Sequence, residues 1–398
     1  MPELMVGFPP EADAQVTLAN WRTAPFCHWA FHHVREIIPT ANIRCGAARA
    51  EPFATEVTDL SGVSVMGTDG QPLDWDGYLK ATSTDAVVVL KSGKVVFEHY
   101  ANGMTPQDPH ILMSVSKSML GLLAGILVDR GVLDLEAAVE RYLPEVRGTA
   151  FEGASIRQLL DMRVGISFNE DYLATGGPII AYRKSTNWNP LQPGETETDL
   201  RSFFRTLKDG DRQHGGPFNY VSPCTDLMGW VIERAAGARF ADLFSELIWQ
   251  PMGAEVDAYI TVDRLGAPRC AGGLNMTVRD LARVGRMVAQ NGAGALGGQV
   301  VPEAWIHDIA TGGDRAAWVA GNFHEHYPGA DMHYRSKWYI EHRDTPLVFA
   351  MGIHGQHLFV DPAGDFVVAK VSSYPVPLVP ELKDMTLRAV RALQSLYG

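Results

Sequence analysis

Hydrophobic and polar positions alternate along this chain in two rhythms. In AVVVLKSGKVVFEHY (86–100) two valine-rich runs flank Ser92-Gly93, a pair suited to the two-residue turn of a β-hairpin. The rhythm then changes. LMSVSKSMLGLLAGILVDRG predicts a helix over 114–130, stopped by Gly131 where a left-handed cap is favoured. Residues 118–128 carry no charge, so this helix is apolar nearly all round and is expected to be buried. Helical spacing continues in LEAAVERYL (135–143), SIRQLLDM (155–162) and TDLMGWVIERAAG (225–237). Residues 163–198, rich in Gly, Pro and aromatics, read as a long functional or mobile loop. Strand rhythm returns in 347–362 and 365–373, read as a second hairpin turning at Asp361-Pro362-Ala363-Gly364, and VPELKDMTLRAVRALQSLY closes the chain as a helix.

Strands at both ends with helices between them predict an α/β domain from residues 1–110 and 265–398, with an inserted, mostly helical domain over 111–264. The cleft between two such bodies is a natural ligand site. With 398 residues, 46% of them hydrophobic, the chain can build a sizeable core without a metal or disulfide staple. Its 46 acidic and 34 basic residues give a net charge of -12. That balance argues against nucleic acid, whose phosphates need a basic face, and weighs mildly against a strongly anionic substrate. Cys27, Cys45, Cys224 and Cys270 are widely spaced and read as reduced thiols. The start, MPELMVGFPPEADAQ, lacks the basic and apolar regions of a signal peptide, and no apolar stretch is long enough to span a bilayer. The expectation is a soluble cytoplasmic protein acting on a small molecule, without a membrane or nucleic-acid partner; a homodimer is allowed.

Candidate chemistry lies at the start of the apolar helix. Ser114 and Lys117 stand at i and i+3, so their side chains share one face. The pattern S-x-x-K alone is weak, since about one chance match is expected at this length. Its setting strengthens it. Burial disfavours a charged lysine, and the positive end of the helix dipole repels a cation, so both lower its pKa towards that of a working base. Unpaired backbone N–H groups at a helix start can hold an oxyanion beside Ser114. The plainer alternative is an N-capping serine with a lysine reaching solvent. Tyr220, in GGPFNYVSPCTDLMGWVIERAAG, follows a Gly-Gly-Pro loop and precedes an apolar helix. A phenol near an amine can relay a proton; the plainer alternative is a core tyrosine. His324-Glu325-His326 lacks the companion spacing of a zinc site, and no nucleophile elbow or phosphate-binding glycine loop is present, so no metal or cofactor is expected. Trp188 and Trp338 are read either as cleft-lining or as core.

These residues resemble the serine β-lactamase and penicillin-recognising superfamily, and within it the 6-aminohexanoate-dimer (nylon-oligomer) hydrolases and family VIII carboxylesterases. Ser114-Val115-Ser116-Lys117 matches the first motif and Tyr220-Val221-Ser222 the second. The blocks LDLEAAVERYLPEV, SIRQLLDMRVGI and GGLNMTVRDLARVGRMVAQNG are similar too, with coverage from about Trp21 to the C-terminus. The resemblance implies a β-lactamase-like fold, an antiparallel sheet flanked by helices plus an inserted helical domain. It also implies a Ser114 acyl-enzyme cleaving carboxylic esters or small linear amides, with Lys117 and Tyr220 moving protons. The third motif falls on Ala350-Met351-Gly352, where only the glycine survives; the resemblance makes the Ile353 N–H the second oxyanion donor beside that of Ser114. Loss of the motif's lysine removes the usual anchor for a β-lactam or peptide carboxylate. Asn169-Glu170-Asp171-Tyr172 matches the nylon-enzyme block, making Tyr172 a substrate-side candidate with Trp338. Arg183 sits where efficient nylon-dimer enzymes carry an acid, and Ala271 where they carry a polar side chain. An amidase for 6-aminohexanoate-type amides and a non-catalytic binding or scaffold member of the fold are the two alternatives.

Overall fold

The computed structural model describes residues 3–208, 210, 213–343 and 346–397. The valine-rich runs form the expected hairpin, Thr84–Lys91 against Lys94–Tyr100, with Ser92 (φ 50°) and Gly93 (φ 73°) both left-handed as its tight turn demands. It opens a seven-stranded antiparallel sheet in the spatial order Lys94–Tyr100, Thr84–Lys91, Phe366–Ser372, Gln356–Asp361, Leu347–Gly352, Trp338–Glu341, Met332–Arg335. The central strands are buried along their whole length because helices cover both faces. Alternation shows how. Val367 and Leu358 meet Gly285 of helix Val278–Ala289, while Phe366 and Asp361, pointing the other way, meet Tyr397 and Gln394 of helix Pro380–Tyr397.

The run 347–362, read as one strand, is two. Leu347–Gly352 and Gln356–Asp361 pair with each other, joined by a turn with His354 (φ 60°) and Gly355 (φ 87°) left-handed. The turn is marked only by the short stretch Gly352-Ile353-His354-Gly355, which is easily passed over between two buried strands that each read as an apolar run. Helical spacing misleads at 135–143, where only the 3-10 turn Val139–Arg141 forms. There Val139 N–H donates to Ala154 O (2.8 Å) and Ile156 N–H to Ala137 O (3.1 Å), so these backbone groups pair across chain segments rather than along a helix. The supposed long loop 163–198 contains helix Pro178–Ser185, which carries Arg183.

A second, four-stranded sheet orders Thr40–Ile43, Ala258–Thr261, Leu274–Met276 and His110–Ile111. It brings the residues just after His110–Ile111 beside those just before Leu274–Met276, with Leu112 N–H donating to Leu274 O at 2.8 Å. The apolar helix Val115–Asp129 follows at once and is buried from Val115 through Leu127. Gly121 lets it pack closely, since a Cβ there would lie 2.0 Å from Ser336 O. A small apolar cluster separate from the main core joins Trp21, Phe31 and Ile111 to Met113 and Trp188, with Ile353 packed against it. No helix among the described residues is long and apolar enough to cross a membrane.

Candidate active site

Ser114 is the residue at which the chain enters the buried helix, but its side chain makes no capping bond. Met113 before it is left-handed (φ 46°), a conformation costly for a long side chain and one that turns the chain sharply between strand and helix. Lys117, 1% exposed, donates from Nζ to Ser114 Oγ at 2.8 Å and to Ala271 O at 2.7 Å. Burial lowers its pKa to about 7; Glu170 opposes that shift, and Arg269 adds to it. The neighbouring serines are committed elsewhere. Ser116 Oγ accepts from Leu274 N–H (3.1 Å) and Ser118 Oγ donates to Lys337 O (2.6 Å).

Tyr220 lies just before helix Ser222–Ala236, its ring centroid 4.9 Å from Lys117 Nζ and stacked on Phe323 at 4.6 Å. Burial and the nearby Glu170 charge hold the phenol well above its ordinary pKa, only partly offset by hydrogen bonds with Ser114 and Ser222, so it stays protonated. On the other side of Ser114, a Cβ at Gly352 would stand 2.7 Å from Leu112 O and 2.9 Å from Ser114 N, so only glycine lets the two backbones approach this closely. Ile353 follows and lines the same cleft as Ser114. Among the described hydrogen bonds, the N–H groups of Ser114 and Ile353 donate to no backbone or side-chain acceptor.

Three supports escaped the sequence reading. Glu170, within the Asn169–Tyr172 block, accepts Ser222 N–H at 2.8 Å; burial raises its pKa and the Lys117 charge lowers it. Asp226, fully buried on helix Ser222–Ala236, accepts Ala271 N–H at 2.7 Å and hydrogen-bonds Tyr182 and Arg269, so it fixes the residue whose carbonyl holds Lys117. Arg22 comes from the N-terminal segment and packs over Trp21 and Trp188. The adjacent Glu in the matched block was a usable signal for the first; the other two carry none in local sequence.

The cleft at Ser114, open to solvent, spans about 380 Å³ and gathers Tyr172, Arg183, Trp188 and Ile353 from the sequence-derived candidates and weighed alternatives. Trp338 does not join them. It is fully buried on strand Trp338–Glu341 and is absent from the cleft wall, because alternation on a strand covered from both sides leaves it in the core. Ala350 is likewise fully buried, so the third motif presents no side chain to the cleft at that position.

A seven-stranded antiparallel sheet between helices, with a serine and a lysine opening a buried helix against it, defines a serine hydrolase of β-lactamase-like fold. The chain belongs to the beta-lactamase family, whose model matches residues 76–393. It is 37% identical over 371 residues to the 6-aminohexanoate-dimer hydrolase of Paenarthrobacter ureafaciens, covering 93% of this chain and 91% of that protein. Esterase EstB of Burkholderia gladioli is 29% identical over 163 residues, 38% of each chain. A solved Bacillus anthracis structure, provisionally named a 6-aminohexanoate-dimer hydrolase, superposes with a TM-score of 0.86 at 25% identity, over 97% of this chain and 99% of that one. The protein is an enzyme of the serine-hydrolase type.

Proposed function

We propose that Ser114 is the nucleophile of an esterase that also cleaves small linear amides. The observation that carries this reading is the Lys117 amine, buried, lowered to a pKa of about 7 and 2.8 Å from Ser114 Oγ. Lys117 accepts the Ser114 proton as Oγ attacks the carbonyl, and the Ser114 and Ile353 N–H groups hold the oxyanion. Tyr220, kept protonated by burial, hands a proton to the leaving alcohol or amine and recovers it through Lys117. Water then attacks the acyl-enzyme by the reverse path. The non-catalytic alternative is tested directly, since a fluorophosphonate probe should label Ser114 and a scaffold protein would stay unlabelled. The four free thiols suit a reducing compartment, and a cytoplasmic location is part of the proposal.

Substrate preference follows from the cleft. Activated esters need less leaving-group protonation than amides. No lysine stands at Ala350 to anchor a β-lactam carboxylate, and Arg183 beside Tyr172 repels an ammonium of the kind a 6-aminohexanoate amide carries. The expected order of kcat/KM is short-chain ester, then linear amide, then cephalosporin. A panel of the three with purified enzyme checks it; efficient cephalosporin turnover would reverse the ranking.

Glu170 offers a separate test. Its charge favours the ammonium form of Lys117, so removing it should lower the Lys117 pKa further. Glu170→Gln is therefore expected to move the acidic limb of the kcat/KM profile to lower pH. An unmoved limb would show that Glu170 serves only to hold Ser222 N–H.

A further inference from the structure

The charges around the Ser114 cleft do not balance. Arg22, Arg183 and Arg269 all line it. Arg269 is neutralised by Asp226, whose carboxylate also takes Tyr182 and the Ala271 N–H. The carboxylate on the cleft wall, Glu170, is bonded to Ser222 N–H, and its charge is shared among Lys117, Arg269 and Arg183, with Asp171 adding to it at Arg183. Arg183, 7% exposed on helix Pro178–Ser185, makes one hydrogen bond, Nη2 to Tyr172 O at 3.0 Å. Arg22 donates from Nη2 to Trp188 O (3.4 Å) and to Asn189 Oδ1, and its buried Nε has no partner. Among the described residues, neither Arg22 nor Arg183 has a carboxylate within salt-bridge distance, and the two guanidiniums repel each other across the cleft wall. Arg22, buried beside Arg183 and Arg269, has its pKa lowered to about 9.

Buried charge without a counter-ion is costly, and a site that keeps two such cations with unused N–H groups is built for an anion that arrives with the ligand. A guanidinium fork suits the two oxygens of a carboxylate. We propose that the substrate carries a free carboxylate, held by Arg183 and Arg22, a short chain away from the scissile carbonyl: a monoester or linear monoamide of a dicarboxylic acid. This rests on the serine-hydrolase reading above and names the substrate class of that site. The anchor differs from the one lost at Ala350, since it uses the Tyr172–Trp188 end of the cleft, and the chain's net charge of -12 has no bearing on this locally cationic wall.

The test compares mono-4-nitrophenyl adipate with its methyl-capped neutral twin, methyl 4-nitrophenyl adipate, after subtracting the uncatalysed rates. Wild-type enzyme should favour the anionic ester by about tenfold or more in kcat/KM, mostly through KM, and free adipate should inhibit competitively. Arg183→Gln and Arg22→Gln should each pull the anionic-to-neutral ratio towards one, while Arg183→Lys keeps part of it. The wild-type ratio and adipate inhibition need no variant to fold. Turnover of the neutral ester with a ratio near one and no adipate inhibition would overturn the carboxylate proposal and leave the serine-hydrolase reading standing. Failure to turn over either ester, with no fluorophosphonate labelling of Ser114, would overturn both.

Discussion

Replacing Ser114 by alanine should lower kcat by at least about a thousandfold, in line with loss of an activated nucleophile. The fold should survive, because the Ser114 side chain caps no helix N–H, so a melting curve close to wild type separates lost chemistry from lost structure. A slow acyl donor should add one acyl mass to the wild type, and peptide mapping should put it on Ser114. Ser116 and Ser118 have hydroxyls committed to Leu274 N–H and Lys337 O, respectively. Among the described residues Lys117 bonds Ser114 and Ala271 but not Ser222, whose N–H is bonded to Glu170. An adduct on Ser116 or Ser222 would overturn the assignment.

Lys117→Arg should be as damaging as Lys117→Ala. A guanidinium keeps its proton near neutrality and cannot act as the base, however well it fills the space. In the wild type the sign of the pH effect is fixed. Below its pKa of about 7 the amine is protonated and cannot accept the Ser114 proton; above it the base is free. So kcat/KM should rise with pH through about 7 and then level off, well below the ordinary lysine range. Near-normal turnover by Lys117→Arg, or an acidic limb at the free-lysine value, would remove Lys117 from the role.

The nearness of Ser114 and Lys117 was readable because one helix turn carries both, and their spacing alone puts them on a shared face. Ser92-Gly93 fixed its hairpin for the same local reason, as did Gly131, left-handed just past helix Val115–Asp129, for that helix's end. The uncharged run 118–128 also foretold burial, and with it a lowered lysine pKa.

Local pattern fails where partners are remote. Val139 bonds Ala154, and the split between Leu347–Gly352 and Gln356–Asp361 falls on a short Gly-Ile-His-Gly stretch between two apolar runs. Trp338 could be read as cleft or as core until the sheet order placed its strand between two others, under cover. Lys117 donates its second hydrogen bond to Ala271 O, and Arg22 reaches Asn189, across 154 and 167 positions of chain. The sequence by itself determined the Ser92-Gly93 hairpin, the buried helix and the nearness of Ser114 to Lys117, because turns and helix faces depend on neighbours a few residues apart. The charge around that pair was decided only by the tertiary structure, since an electrostatic field adds over whatever the fold brings within a few ångströms, and the chain's net charge of -12 averages that information away.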